Sequence, residues 1–147
     1  MKNVVTEHDF KVLIVDDDTI FIKLLVFYIK SSGFKGKILQ AYNGEEAVEL
    51  CKKEFPSIIF MDVQMPVLNG ILATREIRGT GYKNPILIVS SYAELERDRC
   101  LAAGADRLIL KPVTRDDFLA SFKEYYPDRN KKLSKPGLIH LKPTMLD

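Results

Sequence analysis

The chain has 147 residues, 46% of them hydrophobic, which suffices for one core and leaves little for a second folded unit. Residues 1–126 carry 17 basic and 18 acidic side chains and residues 127–147 five and two, so the formal charge of +2 resides in the tail and the body has no electrostatic footprint for nucleic acid. No run approaches the roughly 18 consecutive apolar residues of a membrane span, and the start MKNVVTEHDF lacks a secretory pattern, so no membrane insertion and a cytoplasmic location are expected.

Residues 1–9 read as a leader and 10–126 as one folded domain. The first apolar run, KVLIV at 11–15, is continuous and rich in branched residues, the pattern of a strand buried on both faces. A helix follows, with Ile20, Leu24 and Tyr28 beside Phe21, Leu25 and Ile29 at three- and four-residue spacing until Gly33 stops it. KILQAY at 37–42 mixes polar with apolar residues and predicts a strand nearer a sheet edge. Glu45 to Phe55, entered through Asn43-Gly44 and closed by Pro56, predicts a second helix. SIIFM at 57–61, PILIV at 85–89 and RLIL at 107–110 predict three more buried strands, separated and followed by helices over 70–79, 93–103 and 115–126. The aromatic residues at 118, 122, 125 and 126 have helical spacing and read as core. From Pro127 onward, three prolines, clustered lysines and no sustained period read as a tail or linker. Its apolar residues Leu138, Ile139, Leu141, Met145 and Leu146 are a weak docking set. Cys51 and Cys100 fall inside helical segments and read as idle buried thiols, and His8 and His140 lie in the leader and tail as solvated residues. The alternation βαβαβαβαβα demands a parallel sheet with helices on both faces, a doubly wound α/β fold.

What ends each buried run carries the chemistry. KVLIV is followed by Asp16 and Asp17, SIIFM by Asp62, PILIV by Ser90 and RLIL by Lys111. In a parallel sheet these carboxyl ends share one edge, where ligands bind at the point of reversed strand order. Three converging carboxylates repel unless a cation compensates them, and an all-oxygen donor set with few protein ligands suits Mg²⁺. Lys111 and the Ser90 hydroxyl add a cation and a donor for phosphoryl oxygens. An aspartate nucleophile forming an acyl phosphate fits this set. Asp18 reads as the cap of the first helix.

The ordered motifs VDDD at 15–18, MDVQMP at 61–66 with Gly70, VSS at 89–91, GAD at 104–106 and KP at 111–112 resemble the receiver domain of two-component response regulators over about residues 10–126. The resemblance implies a single (βα)5 flavodoxin-like domain with a five-stranded sheet of order 2-1-3-4-5. It also implies Asp62 as phosphoacceptor, Asp17 as a direct Mg²⁺ ligand, Asp16 as a ligand acting largely through water, and the Gln64 backbone carbonyl completing the metal's protein ligands. Ser90 matches the family's hydroxyl position and Lys111 its phosphate-contacting lysine, with a cis bond to Pro112. The implied activity is a switch rather than a turnover enzyme. It takes phosphate from a histidine kinase or histidine phosphotransfer protein and alters a surface seen by a downstream protein partner. The chain departs from the family pattern at Ser91, where Ala or Gly is usual, and at Leu108, where an aromatic residue is usual. The second departure implies a readout other than the aromatic one, with Tyr92 in the loop after Ser90 as its reporter.

Two other readings share parts of this pattern. A phosphohydrolase of the haloacid dehalogenase type would also use Asp62 and Mg²⁺, but it resembles DxD at the nucleophile, and Gln64 stands where the general acid would be. A flavodoxin-like carrier would need a Ser, Thr and Gly-rich loop after the first strand, where this chain has the acidic DDDT.

Overall fold

Each expected apolar run forms a strand: β1 Lys11–Val15, β2 Lys37–Ala41, β3 Ile58–Met61, β4 Ile86–Ser90 and β5 Arg107–Leu110. The computed structural model describes residues 6–92 and 94–126. All strand pairings are parallel, in the order β2-β1-β3-β4-β5. Residues of β1, β3 and β4 are buried on both faces, which is why their sequences are continuously apolar, whereas β2 at the edge alternates.

Successive side chains of a strand point to opposite faces. Leu13, Val15, Ile59, Met61, Ile86 and Ile88 therefore pack under α2 Gly44–Glu54, α3 Gly70–Gly79 and α4 Arg97–Ala103. Val12, Ile14, Phe60, Leu87, Val89 and Ile109 pack under α1 Thr19–Ser31 and α5 Arg115–Lys123. Phe60, Phe118 and Phe122 are fully buried in this second layer, each contributing about 1.5–3 kcal/mol of burial. Tyr125 and Tyr126 pack against its rim. A 3-10 turn, Glu7–Asp9, precedes β1, with His8 exposed in it. Phe10 then meets Phe34, Phe122 and Tyr126 edge-on and closes the bottom of the same layer.

Helix starts are fixed by short polar side chains. Asp18, Asn43, Asn69 and Thr114 each accept a backbone N–H from the first turn of α1, α2, α3 and α5. The exception is α4, which begins at Arg97 rather than near residue 93. The Ser90 Oγ accepts the Tyr92 N–H at 3.1 Å, and Glu96 and Arg97 donate back to Tyr92 and Glu94 as turns, with no side chain capping the helix. The last helix ends at Lys123, three residues short of the expected boundary, because the Tyr125 and Tyr126 N–H groups both return to the Phe122 carbonyl. The tail from residue 127, with its apolar set and His140, lies outside the described residues. Among the described residues, no helix is long and apolar enough to cross a membrane.

Candidate active site

The register of the sheet sets the strand ends level. Val15 pairs with Met61 and Met61 with Ile88. The next residues continue the ladder: Asp62 N–H donates to the Val15 carbonyl at 2.9 Å, Asp16 N–H to Ala41 at 3.1 Å and Lys111 N–H to Ser90 at 3.0 Å. Strand order reverses between β1 and β3, so Asp16 and Asp62 flank the switch point of the sheet. One carboxylate oxygen from each of Asp16, Asp17 and Asp62 lies within 4.8 Å of the others. Asp16 and Asp62 are buried, and Asp17 is exposed. The Lys111 ammonium lies 2.7 Å from Asp16 Oδ2 and 3.6 Å from Asp62 Oδ1, and the Lys111-Pro112 bond is cis.

Three carboxylates facing one ammonium leave the site short of positive charge. Burial, reinforced by the charges of Asp16 and Asp17, pushes the Asp62 carboxyl up to about 7, against the opposing pull of Lys111 and the Val63 N–H. By contrast, Cys51 and Cys100 are buried free thiols pushed up to about 11, which keeps them protonated and inert.

The loop after β3 holds Asp62 against α3. Gly70 N–H donates to the Val63 carbonyl at 2.8 Å, and a Cβ at position 70 would lie 1.8 Å from the Asp62 carbonyl oxygen, so only glycine lets α3 start there. Within the loop, Val67 takes φ 70 in a tight turn in which Leu68 N–H donates to Pro66. A cleft of about 400 Å³ opens beside Asp17, lined by Gln64, Met65, Asn69 and, across it on the α4 side, Glu96 and Arg99.

Ser90 is buried at the end of β4. The pairing of Met61 with Ile88 sets Ser90 one residue beyond the level of Asp62, and by strand alternation it continues the Ile86 and Ile88 face toward α3 and α4. The carboxylates of Asp16, Asp17 and Asp62 and the Lys111 ammonium meet at this sheet edge, and Ser90 ends the neighbouring strand β4. Tyr92 is about half exposed, at 47%. Leu108 pairs with Ile88 and is half-buried against the α2–α4 layer. Two features were missed in the sequence: the ring of Phe21, 4.2 Å from the Lys111 Nζ, and the Glu96–Arg99 ion pair at 3.0 Å on the cleft wall. The i,i+3 spacing of the second pair was a readable signal. The first joins residues too far apart in sequence for any local pattern to show.

Residues 12–123 match the model of the response regulator receiver domain family. The chain belongs to that family. Receiver domains are signalling domains of two-component systems, and the sheet order found here is theirs. The receiver domain is 38% identical over 111 residues to two-component system protein A of Emericella nidulans, covering 74% of this chain and 16% of that protein. It is 32% identical over 130 residues to hybrid signal transduction histidine kinase G of Dictyostelium discoideum, covering 86% of this chain and 4% of that one. The chain thus spans a small part of the length of both relatives. Among solved structures, it resembles a CheX–CheY–BeF3–Mg complex from Borrelia burgdorferi at 30% identity and TM-score 0.73, covering 81% of this chain and 90% of that one. It also resembles the receiver domain of a sensor histidine kinase from Pseudomonas aeruginosa PAO1 with magnesium coordinated in its active-site cleft, at 28% identity and TM-score 0.71, covering 79% and 96%.

Proposed function

We propose that Asp62 is the phosphoacceptor of this receiver domain, working with a Mg²⁺ held by Asp16, Asp17, Asp62 and the Gln64 backbone carbonyl. The observation that carries this reading is the meeting of a buried carboxylate with two further carboxylates and the Lys111 ammonium at one sheet edge. The donor set fits a hard divalent cation, since its side-chain ligands are all oxygens and one ammonium does not balance three acids. When bound, the ion supplies charge neutralisation and polarisation of phosphoryl oxygens.

The chain's own residues do the rest. An Asp62 carboxylate oxygen attacks the phosphorus of a phosphohistidine; the new P–O bond forms as the P–N bond breaks, and the imidazole leaves. Lys111 sets its ammonium against the phosphoryl oxygens, and the Ser90 hydroxyl donates to another once it turns from the Tyr92 N–H. Attack of water on the acyl phosphate later returns the carboxylate and inorganic phosphate. The donor is a histidine kinase or histidine phosphotransfer protein, and the output is an altered surface read by a downstream protein, in the cytoplasm. Incubation with acetyl phosphate and Mg²⁺ should give a phosphoryl product cleaved by hydroxylamine, as an acyl phosphate is, and none with EDTA. A hydroxylamine-resistant product, or one formed equally without Mg²⁺, would contradict the reading.

A further inference from the structure

The Lys111 ammonium has a third neighbour besides Asp16 and Asp62. Its Nζ lies 4.2 Å from the centroid of the Phe21 ring, within cation–π range. That ring belongs to the first turn of α1, and Asp18 fixes the turn by accepting the Ile20 and Phe21 N–H groups at 3.0 and 3.2 Å. It is half-buried and packs on the α1–α5 layer, so its orientation is set by the core. From this geometry we infer that Phe21 is a positioning residue for phosphoryl transfer, its ring holding the Lys111 ammonium at the acceptor while the carboxylates serve a metal ion. The inference rests on the reading of Asp62 as acceptor and Lys111 as its phosphate contact.

The reason lies in competition. Asp16 Oδ2, the oxygen nearest the ammonium at 2.7 Å, belongs to the same carboxylate set that would serve a metal ion. A cation bound there draws on the charge that otherwise restrains Lys111. The flexible four-carbon lysine stem would then sample many rotamers. An aromatic face attracts an ammonium through its quadrupole, binds no Mg²⁺ and carries no proton to lose. Its hold on Lys111 therefore persists when Asp16 is engaged elsewhere, and it leaves the ammonium free to turn its N–H groups toward phosphoryl oxygens.

Two ring-free variants, Phe21→Leu and Phe21→Met, are compared with Phe21→Tyr, which keeps the ring. In metal-free protein, NMR should find the Lys111 Hε protons shifted upfield by the ring current in wild type and Phe21→Tyr, and unshifted in the ring-free variants. With acetyl phosphate at saturating Mg²⁺, the ring-free variants should be modified about two- to fivefold more slowly, with Mg²⁺ affinity unchanged and Phe21→Tyr close to wild type. In a Lys111→Met background, Phe21→Leu should slow the reaction no further. Unshifted Lys111 protons in wild type, ring-free variants as fast as wild type, or full slowing retained without Lys111 would each overturn the role of Phe21. A wild-type protein that takes no phosphoryl group at all would instead sink the reading of Asp62.

Discussion

At the scale of single residues, the titration of Asp62 makes its environment measurable. A free aspartate titrates near ~3.9, whereas burial and two neighbouring carboxylates push Asp62 up to about 7 in the folded, metal-free protein. The folded state therefore holds this proton more tightly than the unfolded chain does. Its contribution to stability is complete below about pH 4 and is lost as pH rises through about 7. Asp62→Asn cannot acquire the charge. In EDTA it should stabilise the protein by roughly 2–4 kcal/mol at pH 8 and by almost nothing near pH 4. Denaturant unfolding at the two pH values reads this difference, and equal effects at both would show that Asp62 is not held in a charge-averse site. The order should invert with Mg²⁺ at pH 8, since a ligand that binds only the folded wild-type site stabilises it by mass action. Lys111 and Phe21 belong to the same scale, as a cation between two acids and a ring.

At the scale of elements, the proposed phosphoryl contact of Ser90 ties the site to the chain that follows β4. The Ser90 Oγ accepts the Tyr92 N–H, so a hydroxyl that turns toward a phosphoryl group must release the Tyr92 peptide. Residues 94–96 form turns, and α4 starts at Arg97 without a side-chain cap hydrogen bond. Leu108 on β5, by contrast, is already half-buried against the α2–α4 layer. As an aliphatic side chain it has no polar tip to favour exposure, so it contributes little differential free energy between two states. Beryllofluoride binding should therefore shift and deprotect the Tyr92 amide while Leu108 keeps its rotamer, which backbone exchange and methyl NMR can follow separately. A Leu108 rotamer flip beside an unchanged Tyr92 amide would contradict this division. The same segment shows where local sequence misleads: residues 94–96 fall within the expected helix, yet they form turns ahead of α4, with Glu96 N–H donating to Tyr92 and Arg97 N–H to Glu94.

At the scale of the whole molecule, the sheet and its order were legible because burial on both faces imposes an unbroken apolar run on the inner strands β1, β3 and β4, and five strands alternating with helices admit few topologies; β5, expected to be buried, is instead an edge strand with Leu110 exposed. The acidic and basic residues of the site were legible because each stands one or two steps past an apolar run. The register of β3 against β4, which pairs Met61 with Ile88 and sets Ser90 one residue beyond the level of Asp62, is a tertiary fact that no local pattern shows. The aromatic closure of Phe10 on Phe34, Phe122 and Tyr126, and the ring of Phe21 under Lys111, join residues distant in sequence and become visible only in the folded chain. What the assembled molecule is for turns on one atom set, the Asp62 carboxylate. The most direct test is mass mapping of the protein treated with acetyl phosphate and Mg²⁺, alongside Asp62→Asn. The phosphoryl group should map to Asp62 alone and be absent from the variant. Its appearance on a serine or histidine, or its persistence in Asp62→Asn, would contradict the assignment.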